Sequence, residues 1–97
     1  MMEVHFHPLA RKEAVDAGRY YEFKVKGLGA RFTEELEICL QELAKFPNVG
    51  IHVGVGCRKR LICDFPYSVI YQVGDAEIYI MAVMHQHRKP DYWKKRI

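Results

Sequence analysis

The sequence predicts an α+β fold: an N-terminal strand, an antiparallel helical hairpin, a three-stranded antiparallel meander and a short C-terminal helical tail, in one domain over residues 1–97. Three observations predict it. Two stretches of the first half repeat apolar residues at helical spacing and are parted only by Gly27-Leu28-Gly29. Three β-prone runs fill the second half, separated by Pro66 and by Gly74-Asp75. With 97 residues, 49% of them hydrophobic and 28% charged, the chain can build one modest core and has no room for a second.

Each element has its own local reason. Met2 to His7 alternates, with Val4 and Phe6 on one face, and forms the first strand. His7-Pro8 closes it, and Pro8 suits the first turn of a helix, where its missing N–H costs little. Ala10, Ala14, Ala17 and Tyr21 then fall at spacings of four, three and four, a stripe of mostly small residues that lets a neighbouring helix come close. Gly18 weakens that helix by up to about 1 kcal/mol. After the glycine link a second helix runs to about Lys45, with Phe32, Leu36, Cys39, Leu40 and Leu43 as its stripe. Phe46-Pro47-Asn48 ends it.

So short a link makes the two helices antiparallel, and their shared apolar face needs a cover. The runs Arg58–Phe65, Tyr67–Val73 and Glu77–Met84 supply it as strands of one small sheet with the helices on one face. Val69, Tyr71 and Val73 are expected on one face of the middle strand, and Ile78, Ile80 and Ala82 on one face of the last. The last strand is apolar nearly throughout, so it belongs inside the sheet. Residues Asn48–Gly56, with three glycines, read equally as strand or loop. The sheet face away from the helices is expected to stay open, with Tyr92 and Trp93 pinning the tail onto the helices.

Composition excludes several classes. No apolar run reaches the ~20 residues of a membrane span, and Met1-Met2-Glu3-Val4-His5 does not resemble a secretory leader, so a cytoplasmic protein without membrane contact is expected. Cys39, Cys57 and Cys63 are odd in number and lack CxxC spacing, which argues for free thiols in a reducing compartment. No cofactor or metal is expected; His85-Gln86-His87 lacks a third ligand at metal spacing. Charge is uneven: residues 1–50 carry net −1 and residues 51–97 net +4, making the overall +3. The basic half points to an anionic partner, nucleic acid or acidic protein, or to a solvated face that keeps the chain soluble.

The residues able to do chemistry lie in that half. Arg58 and Arg60, two apart on a strand, share a face, and arginine's planar fork suits phosphate or carboxylate. His85 ends the last strand, with His87, Arg88, Lys89 and Tyr92 just beyond. Together they suggest a metal-free ribonuclease site: histidine as acid or base toward a ribose 2′-OH, arginine against the phosphorane charge. His85, Arg88 and Tyr92 are the catalytic candidates of that reading, and Arg58, Arg60 and Lys89 the phosphate- or partner-binding ones.

The run Phe65-Pro66-Tyr67-Ser68-Val69-Ile70-Tyr71, followed by Ile78 through Trp93, resembles the C-terminal signature of RelE/ParE-type toxins, the toxic halves of bacterial type II toxin–antitoxin, or plasmid stabilisation, modules. His7-Pro8 with Ala10, Ala14, Ala17, Tyr20-Tyr21, Gly29-Ala30-Arg31-Phe32 and Phe46-Pro47 are similar to the family's helical hairpin, so the likeness spans residues 4–96. It implies a helical hairpin on a small, mainly antiparallel sheet, and a toxin that inhibits growth until a cognate antitoxin neutralises it. RelE-like members are ribosome-dependent mRNA endonucleases; ParE-like members poison DNA gyrase. Known endonucleases of the family carry many Lys/Arg and an acid–base residue on the open sheet face. The set here is thin, and the stretch from His85 to Arg96 looks more like the ParE type, which favours gyrase over ribosome and mRNA. A non-toxic interaction module is the third reading. A homodimer or an antitoxin heterocomplex is compatible with all three.

Overall fold

Strand β1 (Glu3–Phe6) gives way at His7 to helix α1 (Pro8–Lys24) in the computed structural model, which describes residues 1–97. The His7 ring accepts a hydrogen bond from the Leu9 amide at 3.1 Å, and Pro8 stands in the first turn, so this junction is capped without an acidic residue. Helix α2 (Leu28–Lys45) follows a three-residue link. Its bare N-terminal amides are met from α1: the Glu22 carboxylate accepts from Gly27 and Gly29 at 2.9–3.1 Å. The stripes lie inward, with Ala10, Ala17, Phe32, Leu36, Cys39, Leu40 and Leu43 buried. The helices pack closest at Gly29, where a Cβ would sit 2.4 Å from the Gly18 carbonyl oxygen.

The sheet comprises β1, β2 (Ile51–Gly54), β3 (Cys57–Leu61), β4 (Tyr67–Val73) and β5 (Glu77–His85) in the order β1-β5-β4-β3-β2. β1 runs parallel to β5; every other neighbour is antiparallel. β5 therefore lies inside the sheet. The segment 48–56 contributes β2, an edge strand, and turns into β3 on Gly54 and Gly56, whose positive φ values of 95° and 73° suit glycine. β3 is shorter than expected and stops at Leu61, before a turn in which Asp64 takes φ 67°.

Two expectations about faces are corrected. The β4–β5 register jumps from Ile70 opposite Ala82 to Tyr71 opposite Ile80, leaving Met81 as a bulged residue. The bulge reverses the alternation along β5, so Ile78, Ile80 and Val83 pack with the helices while Ala82 turns to the other face with Met81 and Met84. That other face is not open. Trp93, 1% exposed, fills it together with Cys57, Ile70, Met81, Ala82 and Met84. The tail thus anchors to the sheet through Trp93, and Tyr92 and Arg96 reach the helices through Glu13 of α1. The tail ends in one 3₁₀ turn, Lys94–Arg96.

Candidate functional site at the C-terminal end of the sheet

β1 accompanies β5 only to Phe6 opposite Ile80, and the His7 amide donates to the Ile80 carbonyl as the last bond of that edge. Beyond it, β5 would present a bare edge, which costs free energy when buried. Two side chains take the place of the missing strand. The Val83 amide donates to Glu13 Oε1 at 3.0 Å, and the Met81 carbonyl accepts from Arg96 Nη1 at 2.9 Å. Glu13 and Arg96 also form a two-pronged ion pair at 2.9 Å, with side chains only 15% and 7% exposed. Tyr92 completes the group by donating its hydroxyl to Glu13 Oε2 at 2.6 Å.

The electrostatics follow from this crowding. Burial works to raise the Glu13 pKa, but hydrogen bonds from Arg96, Tyr92 and the Val83 amide, with the Arg96 charge, outweigh it and hold the carboxyl below its ordinary value. Burial, and then the Glu13 hydrogen bond and charge, push the Tyr92 phenol upward. Tyr92 is a neutral donor held on a carboxylate, with the Arg88 guanidinium 3.8 Å from its ring centroid.

The structure gathers part of the predicted set. His85 sits at the end of β5 with its ring 5.0 Å from Tyr67 and 5.1 Å from His87, and its Nδ1 accepts from the His87 amide at 3.0 Å. Arg88 and Tyr92 stack beside it in the tail, and Lys89 lies exposed in the turn between them. Arg58 and Arg60 are elsewhere. They share the helix-side face of β3, opposite Tyr71 and Val69. Arg60 makes a two-pronged pair with Glu42 of α2 at 2.9 Å, and Arg58 donates to the carbonyls of Asn48 and Gly50 at 3.1 and 2.8 Å. There they fasten the end of α2 and the following loop to the sheet, beside Tyr71, whose buried hydroxyl bridges the Pro47 carbonyl and the Gly50 amide.

Sequence reasoning passed over Glu13 and counted Arg96 only among the cations of the basic half. A signal for Glu13 did exist: it lies three residues after Ala10 and four before Ala17, on the border of the buried stripe. No comparable signal marks Arg96, because its partner is 83 positions away.

Elsewhere an apolar groove of about 780 Å³ runs between α2 and the outer edge of β3. Ile38, Val49, Leu61 and Ile62 line it, with the Glu42–Arg60 pair along one wall. β2 pairs with β3 only from Ile51 opposite Lys59 onward, so Leu61, paired with Ser68 of β4 on one side, has no strand on its outer edge at the groove.

Comparison with known proteins agrees with this architecture. A family model described as the ParE toxin of the type II toxin–antitoxin system, parDE, matches residues 4–90. Among solved structures, a chain of the chromosomal ParDE toxin–antitoxin system from P. aeruginosa superposes with a TM-score of 0.62, over 88% of this chain and 96% of that one. Identity is 15%, so this likeness concerns the fold. No curated protein matches by sequence. With the strand, hairpin and meander in place and the family model covering nearly all of it, the chain belongs to the ParE toxins of type II toxin–antitoxin systems.

Proposed function

We propose that this chain is the growth-inhibiting half of a toxin–antitoxin module, that it acts in the cytoplasm by binding DNA gyrase rather than by cutting RNA, and that a cognate antitoxin neutralises it. The observation that carries the binding reading is the filled second face of the sheet. An endonuclease of this fold needs that face open to RNA, with an acid–base group free on it. Here Trp93 occupies it, and the Tyr92 hydroxyl is held by Glu13. Four of the eight cations in the basic half, Arg58, Arg60, Lys94 and Arg96, also point at protein acceptors, which thins the charge available for a phosphate backbone. The groove between α2 and β3, apolar and with the outer edge of β3 unpaired at Leu61, suits an extended segment of an antitoxin that orders as it binds.

The RelE-like reading keeps one supporting observation: His85, His87 and Arg88 are adjacent at the end of β5, with Lys89 exposed beside them. One experiment separates the two readings. Induced expression in bacteria is expected to arrest growth with broken DNA and intact messages, and a His85→Ala, Arg88→Ala double variant is expected to remain toxic. Arrest with cleaved messages, abolished in that variant, would replace the gyrase reading by the endonuclease one.

A further inference from the structure

The tip of the helical hairpin carries a group of exposed apolar side chains that nothing in the fold covers. Phe23 is 88% exposed, Val25 58% and Tyr20 55%, grouped within six residues at the end of α1. A single exposed aromatic is ordinary, but three neighbouring apolar side chains on one protrusion are not. The group stands on a rigid base. Tyr21, next to Tyr20, turns inward to an aromatic cluster with Phe32, Phe65 and Tyr67, at ring separations of 4.9–6.2 Å. Glu22 ties the end of α1 to the first amides of α2.

That tie also sets the charge of the tip. The Glu22 carboxylate is turned into the Gly27 and Gly29 amides, whereas Arg19, Lys24 and Lys26 form no ion pair with any carboxylate. Lys24 Nζ lies 5.3 Å from the Tyr20 ring centroid, so charge and aromatic face are offered together. The protrusion therefore shows two aromatics and a valine flanked by three unpaired cations. Aromatic and arginine anchors held on a rigid element are the usual composition of binding hot spots. Three cations are too few for a nucleic-acid footprint, whereas they complement a patch of carboxylates on a protein.

We infer that the hairpin tip is the surface through which this toxin engages its target protein: Phe23 and Tyr20 seat in an apolar recess, and Arg19, Lys24 and Lys26 meet acidic residues around it. The inference rests on the gyrase reading above, and it assigns that contact to the hairpin rather than to the basic tail or to the groove beside β3.

The test measures binding of the full chain to purified DNA gyrase and, in parallel, to a short duplex DNA. The variants are Phe23→Ser, the pair Lys24→Glu, Lys26→Glu, and Phe46→Ser. Phe46, 63% exposed at the opposite end of the hairpin, controls for loss of any exposed aromatic. Helical circular dichroism, with emission from the single, buried Trp93, reports whether each variant is folded. Phe23→Ser is expected to weaken gyrase binding at least tenfold. The charge pair is expected to slow association and reverse its salt dependence, and Phe46→Ser to leave binding within about twofold. If wild type binds and Phe23→Ser binds equally well, the tip is not the contact and the gyrase reading stands. If wild type does not bind gyrase, that reading falls and the stated partner with it. Binding to the duplex that is lost in the charge pair but kept in Phe23→Ser would make the tip a nucleic-acid patch and overturn the inference.

Discussion

The two faces of one sheet are closed by different means. Toward the helices, thirteen buried residues from α1, α2, β4 and β5 and the turn after β3 form one continuous core, with Val4, Phe6 and Tyr21 packed around it. On the other face six residues suffice, and one side chain from the tail, Trp93, completes them. The first face is held redundantly, by two helices whose stripes repeat every turn. The second depends on a short irregular segment, tied down by Trp93 and by the Glu13–Tyr92–Arg96 group. Redundant closure gives cooperative stability, whereas single-anchor closure gives a segment that can open by itself.

The largest expected effect tests that contrast directly. Phe32→Ala and Trp93→Ala each remove a fully buried aromatic and are each expected to cost about 3–5 kcal/mol in urea unfolding. They should differ in what opens. Phe32→Ala should lower amide protection throughout the molecule, while Trp93→Ala should first expose the tail and β3 and leave the α1–α2 hairpin protected in hydrogen exchange. Equal loss of protection everywhere would mean that both faces are one cooperative unit.

Close approach is a smaller term on the helix face. A methyl at Gly29 must displace the Gly18 carbonyl, since its Cβ would lie 2.4 Å away, so Gly29→Ala is expected to destabilise by about 1–3 kcal/mol despite alanine's better helix propensity. Gly18→Ala meets Thr33 Oγ1 at 3.6 Å and the Gly29 carbonyl oxygen at 4.0 Å, both ordinary contacts, and should be neutral or stabilising. Matched thermal unfolding curves of the two variants check the asymmetry.

The smallest effect is the pH dependence of the tail face. Because the folded state holds Glu13 below its ordinary value of 4.5, this group's contribution is complete above that value and is lost as the pH falls through the lowered one. Acid should therefore loosen the tail before the helix core, seen as a red shift of Trp93 emission while helical circular dichroism persists. Glu13→Gln should be less stable at pH 7 and lose this acid-dependent step; an unchanged step would assign it to another carboxylate.

Legibility divided along similar lines. The helices were readable because their stripes are local: Phe32, Leu36, Leu40 and Leu43 state a period of 3.6 without reference to the rest of the chain. The meander was readable because Pro66 and Gly74-Asp75 interrupt β-prone runs at turn spacing. The bulge at Met81 was not, since nothing in Ile78–Met84 distinguishes a bulged from a regular strand, and so Ala82 was assigned to the wrong face. Residues 48–56 were left undecided because three glycines interrupt Ile51, Val53 and Val55; Ile51–Gly54 becomes β2 by pairing with β3, and Val55 falls in the turn. Among the candidate residues, His85, Arg88, Lys89 and Tyr92 are close in sequence and remain close in space. Arg58 and Arg60 share a face as their spacing demands, but the face is the one that meets α2.

By itself, then, the sequence determined what local rules can determine: a strand, a hairpin of two helices with inward stripes, three further strands, and a chain whose cations concentrate in its second half. Tertiary structure alone decided which of those cations are free. A guanidinium near Glu42 or Glu13 in space is a structural clamp, and one without a partner stays available to solvent or a ligand, yet both look alike in a charge count. The partners lie 18 and 83 positions apart, so only the folded chain brings them within the ~3 Å at which a hydrogen bond forms.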